Sequence, residues 1–191
     1  GRIVAGGYFT DYDGKSRNHI ARLFSDGELD LSLNMYTGFS GTVRSIVLQT
    51  DGKILAGGDF RFFNGVERSG IARLNHDGSL DTTFDIGTGI NYNIAYTGVH
   101  ALLLQPDDKI LVGGDFFDYN GKSVGGLIRL HPNGALDTTF DAGAGVGAGA
   151  IYQMVLQNDG KIIIGGSFNS YDGVISNSIA RVNTDGSRDT T

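Results

Sequence analysis

Hydrophobic positions along this chain fall into short runs separated by turns rich in glycine and aspartate, and one run occurs four times. Its clearest copy is DGKILAGGDF at 51–60. Equivalent copies start at Gly1, Gly52, Asp108 and Gly160, which are 51, 56 and 52 residues apart. A period of about 50 residues indicates a repeat architecture. The fold is therefore predicted for one unit, and the same prediction is applied to the other three.

Each unit predicts four short strands, here called a to d. In the second unit they cover residues 43–48, 53–57, 70–74 and 79–84, and strand d has the weakest pattern. Strands a and b are apolar on both faces, whereas antiparallel strands with one wet face alternate. No segment shows a helical period that could cover them. The neighbouring unit is therefore the expected cover for both faces.

Three-residue turns join strand a to b and strand c to d. Thr50-Asp51-Gly52 and His76-Asp77-Gly78 are examples, and such loops place a left-handed residue third. Asp108 occupies that third place in one unit, where we expect strain of about 1 kcal/mol relative to glycine. This register sets an arginine on strand c opposite an aspartate on strand d in every unit. The predicted pairs are Arg22–Asp30, Arg73–Asp81, Arg129–Asp137 and Arg181–Asp189.

Recurrence argues for a structural role of these pairs, since a catalytic group is needed only once. Stacked antiparallel units predict an all-β fold, a β-propeller segment of about four four-stranded antiparallel blades. A parallel β-helix is the alternative, although tight hairpin turns do not belong in it. The predicted units are 1–42, 43–98, 99–150 and 151–191, incomplete at both ends. We expect them to form part of a larger ring, closed by further repeats or by a second copy.

The repeated pattern VxxIxLQxDGKIxxGGxF followed by IARLNxDGSLDxTF is cleanest between Val43 and Phe84. It resembles the delta-60 repeat of large bacterial proteins, a kelch-like β-propeller repeat. The sequence departs from that pattern at Asp108 and at Leu31-Ser32-Leu33. The resemblance implies a bacterial protein that is secreted or exposed at the cell surface, with the repeats as a scaffold or interaction module.

The composition and net charge of the chain argue against several classes of partner and site. The 191 residues carry a net charge of −6, which argues against a nucleic-acid partner. The absence of cysteine excludes disulfides, thiol catalysis and cysteine-ligated zinc. No apolar run approaches the length of a membrane span, so we expect no membrane insertion. The four histidines lack metal-ligand spacing, and we expect neither a metal nor a cofactor.

Two segments resemble part of a calcium-binding loop. These are Asp11-Tyr12-Asp13-Gly14 and Asp118-Tyr119-Asn120-Gly121. The leading aspartate is missing from the other two units, and no bidentate glutamate follows at the twelfth position. A turn closed by an aspartate or asparagine side chain needs fewer assumptions. The sequence leaves calcium binding by these segments as an alternative to the turn interpretation.

The candidate binding surface is the end of the blades that carries the long connections, residues 58–69 and 85–98 in the second unit. Aromatic residues that recur in every unit are expected to pack between blades. Those that do not recur are expected to contact a protein or polysaccharide, or else to fold back over the blade ends. The candidates are Phe62, Phe117, Tyr92, Tyr96, Tyr36 and Phe39.

A non-enzymatic binding or scaffold module, extracellular or at the cell surface, is the function that these observations favour. The alternative is a propeller enzyme such as a polysaccharide lyase or glycosidase. Such an enzyme needs a pair of carboxylates that is present once. Asp59 and Asp115 recur at one position, with Tyr8 and Ser167 in the other units, which weakens the enzyme hypothesis.

Overall fold

The computed structural model describes residues 1–33, 36–91 and 98–191 as small antiparallel sheets joined by turns. None of these residues forms a helix, so none provides a helical membrane span. Three of the sheets have three strands in the order a, b, c, and a fourth sheet pairs strands b and c alone. This is an all-β structure of β-propeller type, as the repeat predicts.

Blades 1 and 2 lie in the first half of the chain. Blade 1 contains β1 (Arg2–Gly6), β2 (Asp11–Tyr12), β3 (Lys15–Ser16) and β4 (Ile20–Phe24). Blade 2 contains β5 (Val43–Leu48), β6 (Ile54–Gly58), β7 (Phe62–Phe63), β8 (Val66–Glu67) and β9 (Ile71–Leu74). In each blade the two-residue strands pair with each other and form a small hairpin between strands b and c. In blades 2 to 4 a single bridge also joins this hairpin to the connection that comes from the preceding blade.

Blades 3 and 4 repeat the arrangement of blade 2. Blade 3 contains β10 (Gly98–Leu104), β11 (Ile110–Asp115), β12 (Asp118–Tyr119), β13 (Lys122–Ser123) and β14 (Leu127–Leu130). Blade 4 contains β15 (Ile151–Leu156), β16 (Ile162–Gly166), β17 (Ser170–Tyr171), β18 (Val174–Ile175) and β19 (Ile179–Val182).

The tight turns have the predicted length and conformation. The amide of Gln49 donates to the carbonyl of Lys53 at 2.9 Å, which closes a three-residue loop between β5 and β6. The third loop residue is left-handed, with φ of 81° at Gly52 and 62° at Asp108. Asp108 therefore holds a conformation that glycine adopts without steric cost.

Strand d is a single bridge and not the strand predicted over 79–84. Leu80 pairs with Leu74, and Asp81 then turns the chain away. The Asp81 carboxylate accepts bonds from the amide and hydroxyl of Thr83, at 2.9 and 2.6 Å. Such a local side-chain bond competes with a sheet ladder, so the strand ends there. The corresponding bridges are Leu23–Leu29, Leu130–Leu136 and Val182–Arg188.

The connection between strands b and c is more ordered than a loop. In blade 1 it forms the hairpin of β2 and β3, whose two turn residues Asp13 and Gly14 have φ of 50° and 68°. Positive φ at both positions defines the type I′ turn that favours Asx-Gly. The Asp-Gly and Asn-Gly pairs of all four hairpins are thereby explained as turn residues.

The hydrophobic core lies between successive blades. One buried cluster joins side chains of blades 1 and 2, a second joins blades 2 and 3, and a third joins blades 3 and 4. Strand β6 is buried at all five positions, as the lack of alternation predicts. The recurring aromatics also pack here, since Phe60, Phe116 and Phe168 are at most 1% exposed.

The paired glycines at the end of strand b allow close packing on both sides. A Cβ at Gly57 would lie 2.6 Å from Val99 in the next blade. A Cβ at Gly58 would lie 2.0 Å from the carbonyl oxygen of Thr42, just before strand a of the same blade. Both distances are below any real contact, so side chains at these positions would force the strands apart.

Candidate functional site

The four predicted arginine–aspartate pairs are in contact in the structure. Nε of Arg73 lies 2.7 Å from Oδ2 of Asp81, and Lys53 Nζ approaches the same oxygen at 2.9 Å. The Arg22–Asp30 and Arg129–Asp137 pairs have distances of 2.8 and 2.7 Å and are equally buried. The fourth pair, Arg181–Asp189, has a partly exposed guanidinium.

The same arginines also join one blade to the next. Nη1 of Arg73 donates to the carbonyl of Pro132 at 2.6 Å, and Nη1 of Arg129 donates to that of Thr184 at 2.7 Å. Each acceptor is the first residue of the turn between strands c and d in the following blade. The Arg73 guanidinium also stacks over the Phe84 ring at 4.7 Å. The pairs are structural ties between blades.

These carboxylates stay ionised over the physiological range. Burial raises the pKa of Asp81, but hydrogen bonds from Thr83, Lys53 and Arg73 outweigh it and hold the pKa well below its usual value. Burial likewise opposes ionisation of Asp30, where bonds from Ser32 and Arg22 lower the pKa to about 2. An acid–base role at neutral pH would need a pKa much closer to 7.

The candidate aromatic contacts fall into three groups. Phe62, Phe117 and Tyr36 are exposed by 38%, 47% and 81%. Phe39 is only 2% exposed and cannot contact a ligand, so this part of the prediction is wrong. It packs between two recurring rings, with centroid distances of 4.3 Å to Phe60 and 4.7 Å to Phe63. Tyr92 and Tyr96 lie outside the described residues.

Phe62 is held in place by polar neighbours at the blade end. Its amide and that of Arg61 both donate to the Ser40 hydroxyl, at 2.9 and 3.1 Å. The Arg61 guanidinium lies 5.5 Å from the Phe62 ring centroid and pairs with Glu67 at 2.9 Å. An exposed aromatic ring beside a salt bridge is thus presented on a short, ordered hairpin.

Shallow grooves separate the hairpins of neighbouring blades at this end. The groove between blades 1 and 2 is lined by Asn18, Thr37, Ser40 and Phe62. The groove between blades 2 and 3 is lined by Arg61, Glu67, Thr88, Asn91 and Asp118. Polar and apolar groups both line these grooves, and the side chains differ from one groove to the next although the backbone repeats.

A second group of non-recurring side chains lies on the first strands of the blades, and the sequence analysis did not identify it. Each first strand has a bulge near its start, at Arg44, His100 and Tyr152 in blades 2, 3 and 4. Asp59 and Asp115 follow the glycine pairs at the end of strand b. We use the name first-strand cluster for Arg44, His100, Tyr152, Asp59 and Asp115. The sequence carries a signal for this group, because three different residue types follow the β-branched residue that begins strand a as predicted.

The first-strand cluster contains a salt bridge within blade 2 and a ring contact between blades 3 and 4. Nε of Arg44 donates to both oxygens of Asp59, at 2.7 and 2.8 Å, and Nη2 contacts Oδ2. The His100 and Tyr152 rings meet edge to face with centroids 5.3 Å apart. The Tyr152 hydroxyl lies 3.3 Å from the Ser167 hydroxyl. The strands themselves are joined by a bond outside the cluster, from the Leu102 amide to Ser45 Oγ at 3.0 Å.

The electrostatics of the cluster favour a neutral imidazole. Burial and the Arg44 charge lower the pKa of His100, while Asp59 and Asp115 act in the opposite direction. A neutral His100 has one donor and one acceptor nitrogen. Arg44 and Tyr152 are 43% and 49% exposed, so the cluster is open to solvent.

Within the described residues, no group of three or more His, Asp or Glu side chains could hold a metal ion. The aspartates of the calcium-like segments are used within their own turns. Asp118 Oδ1 accepts from the Gly121 amide at 3.0 Å, and Asp11 Oδ1 accepts from that of Gly14 at 3.3 Å. The turn interpretation accounts for these segments.

Repeated antiparallel blades, tied by buried ion pairs and packed face to face, define a β-propeller repeat protein. The comparison with protein families agrees. Residues 1–33, 49–84, 105–140 and 157–191, together more than half of the chain, match a family described as a domain of unknown function (DUF5122) beta-propeller, and the chain belongs to that family. The matched segments begin near strand b and end after the Asp-x-Thr turn of each unit, which is Asp-x-Ser in the first. No curated protein matches the chain.

Proposed function

We propose that this chain is a non-enzymatic binding or scaffold module of a bacterial protein that is secreted or exposed at the cell surface. Its repeats are of the delta-60, kelch-like kind, and it recognises a protein or polysaccharide through the end of the blades that carries the long connections. The observation that supports this most is that the differences in sequence between blades are concentrated at one end of the blades. The turns at the opposite end keep three residues in every blade, whereas the long connections differ in length and in exposed side chains.

A rigid scaffold with variable loops is the usual setting for recognition. Phe62 and Phe117 are exposed on or next to hairpins that are fixed by buried neighbours. Ordered aromatic side chains lose little conformational entropy when they bind, which makes them effective contacts. The mixed polar walls of the grooves beside them supply hydrogen-bonding groups for orientation.

The experiment compares Phe62→Ala with Phe117→Ala and their double variant in binding to a glycan array and to immobilised extracellular matrix proteins. Phe24→Ala is the matched control, since Phe24 is 39% exposed but ends strand c at the opposite end of the blade. We expect the double variant to lose at least about tenfold in affinity, equivalent to 1.4 kcal/mol. Wild-type affinity in the double variant, with unchanged unfolding midpoints in all variants, would refute the assignment.

We propose further that a blade of the same kind packs on the outer face of blade 4, supplied by further repeats of the protein or by a second copy. Ile175 and Ile179 expose 79% and 63% of their surface there. Light scattering would measure the mass of the chain and of Ile179→Asp. Self-association that this variant abolishes supports a second copy as the source of that blade, and a monomer at all concentrations contradicts the second copy and leaves further repeats as the source.

A further inference from the structure

We infer that the first-strand cluster is a binding subsite for a neutral saccharide, formed by Arg44, Asp59, His100 and Tyr152. The inference rests on the proposed binding function and names a ligand class for it. Three consecutive blades contribute to the cluster, at a backbone position that the bulge repeats in each. The backbone is the same in all three, but the side chains are not, so packing of the repeat does not explain their identity.

The Arg44–Asp59 pair is suited to adjacent hydroxyl groups. Asp59 engages Nε and Nη2, and the guanidinium carries further N–H donors on Nη1. Oδ2 of Asp59 accepts from both Nε and Nη2, whereas Oδ1 accepts from Nε alone and keeps a second lone pair for a hydroxyl donor. One planar pair therefore offers donors and acceptors side by side, with the directions fixed before a ligand arrives. Charge-assisted bonds of this kind are stronger than neutral ones.

Tyr152 supplies the apolar surface that a sugar ring needs for its C–H face. About half of the side chain is exposed. The His100 ring packs edge to face against it, and Ser167 lies within bonding distance of its hydroxyl, so its orientation is fixed. Aromatic side chains with a fixed orientation and one wet face are effective contact surfaces.

The charge of the cluster selects against acidic ligands. Arg44 is neutralised by Asp59, Asp115 adds a negative charge, and burial keeps His100 uncharged near neutral pH. A carboxylate or sulfate group on a saccharide would approach a cluster whose described residues carry a net negative charge, with its one cation, Arg44, already paired. Neutral hydroxyl-rich ligands avoid that cost.

The test screens the chain on an array of neutral and acidic oligosaccharides and then titrates the best-bound oligosaccharide by calorimetry. We expect binding to neutral oligosaccharides, weakened at least about tenfold by Tyr152→Ala and by Arg44→Ala. Tyr152→Phe keeps the ring and loses only the hydroxyl, and we expect it to bind within about threefold of wild type. Urea unfolding of every variant checks that the fold is intact, because Tyr152 and Arg44 are exposed enough to be replaced.

The outcomes separate this inference from the proposed function. Loss of neutral saccharide binding in Tyr152→Ala but not in Phe62→Ala supports the subsite. Saccharide binding that depends on Phe62 and Phe117 but not on Tyr152 overturns the subsite and leaves the binding module in place. Binding to acidic saccharides alone, or to no saccharide on the array, also overturns it, and a protein partner would then be the remaining form of the proposed function.

Discussion

Removing the Arg73 guanidinium tests whether the buried ion pairs tie the blades together. Arg73→Ala leaves the Asp81 carboxylate, which is 4% exposed, with Lys53 as its remaining cationic partner. It also removes the bond from Nη1 to the Pro132 carbonyl in the next blade and the stacking over Phe84. The variant therefore weakens one blade and its contact with the following blade together.

The expected cost follows from the burial of the pair. Breaking a buried ion pair by removing one partner destabilises proteins by about 3–5 kcal/mol. The Lys53 ammonium, 2.9 Å from Asp81, compensates part of the charge, so we expect about 3 kcal/mol. Against a total stability of about 5–15 kcal/mol, that is a large share. Arg73→Lys keeps a positive charge but lacks the planar guanidinium that reaches Asp81 and Pro132 through separate nitrogens, so its loss should be smaller but measurable.

Urea unfolding followed by circular dichroism gives the midpoint and slope for each variant. The matched control is Arg181→Ala, since Arg181 makes the same pair in blade 4 but its side chain is 37% exposed. We expect a clearly smaller loss there than in Arg73→Ala. A loss below about 1 kcal/mol in Arg73→Ala, or equal losses in both variants, would refute the role assigned to burial and to the bond between blades.

Three further predictions concern the repeat itself. Gly58→Ala should lose about 1–3 kcal/mol of unfolding free energy because its Cβ would lie 2.0 Å from the Thr42 carbonyl oxygen. A Cβ at Gly7 would have no contact closer than 3.4 Å, so Gly7→Ala should change the urea midpoint little. Equal effects of the two substitutions would contradict this reasoning. Asp108→Gly should gain about 0.5–1 kcal/mol by relieving the left-handed strain, and a loss in the same assay would count against it. The depressed pKa of Asp81 means that its contribution is complete above about pH 5 and is lost as the pH falls below the unfolded value near 4. The Asp81 contribution to the thermal midpoint should therefore be constant from pH 7 to 5 and decrease below pH 4, so the fall of the midpoint below pH 4 should be shallower in Asp81→Asn than in the wild type.

The exposed aromatics show where sequence reasoning reached its limit. Phe62 and Phe39 look alike in the sequence, since both are non-recurring aromatics in long connections. In the structure Phe62 is exposed while Phe39 lies between the rings of Phe60 and Phe63. Which ring is buried depends on how the connection crosses to the next blade's hairpin, with Phe39 bridging to Phe63. That contact joins residues from different elements and has no local signal.

Strand d illustrates a different limit. The alternation in Ser79-Leu80-Asp81 is compatible with a strand, but the Asp81 carboxylate binds the Thr83 amide and hydroxyl and ends the ladder after one bridge. The Asp-x-Thr motif was visible in the sequence. Its competition with the ladder is local chemistry, which predicts the end of the strand at Asp81.

The sequence by itself determined the repeat, the order of strands a to c, the three-residue turns and the pairing of Arg73 with Asp81. All of these depend on period, alternation and turn chemistry, which act over a few residues. Only the tertiary structure decided that the Arg73 guanidinium reaches Pro132 in the next blade and that Arg44, His100 and Tyr152 come together on three blades. Those contacts join residues more than 50 positions apart, and their distances depend on how one blade is stacked and rotated against the next, which no local pattern encodes.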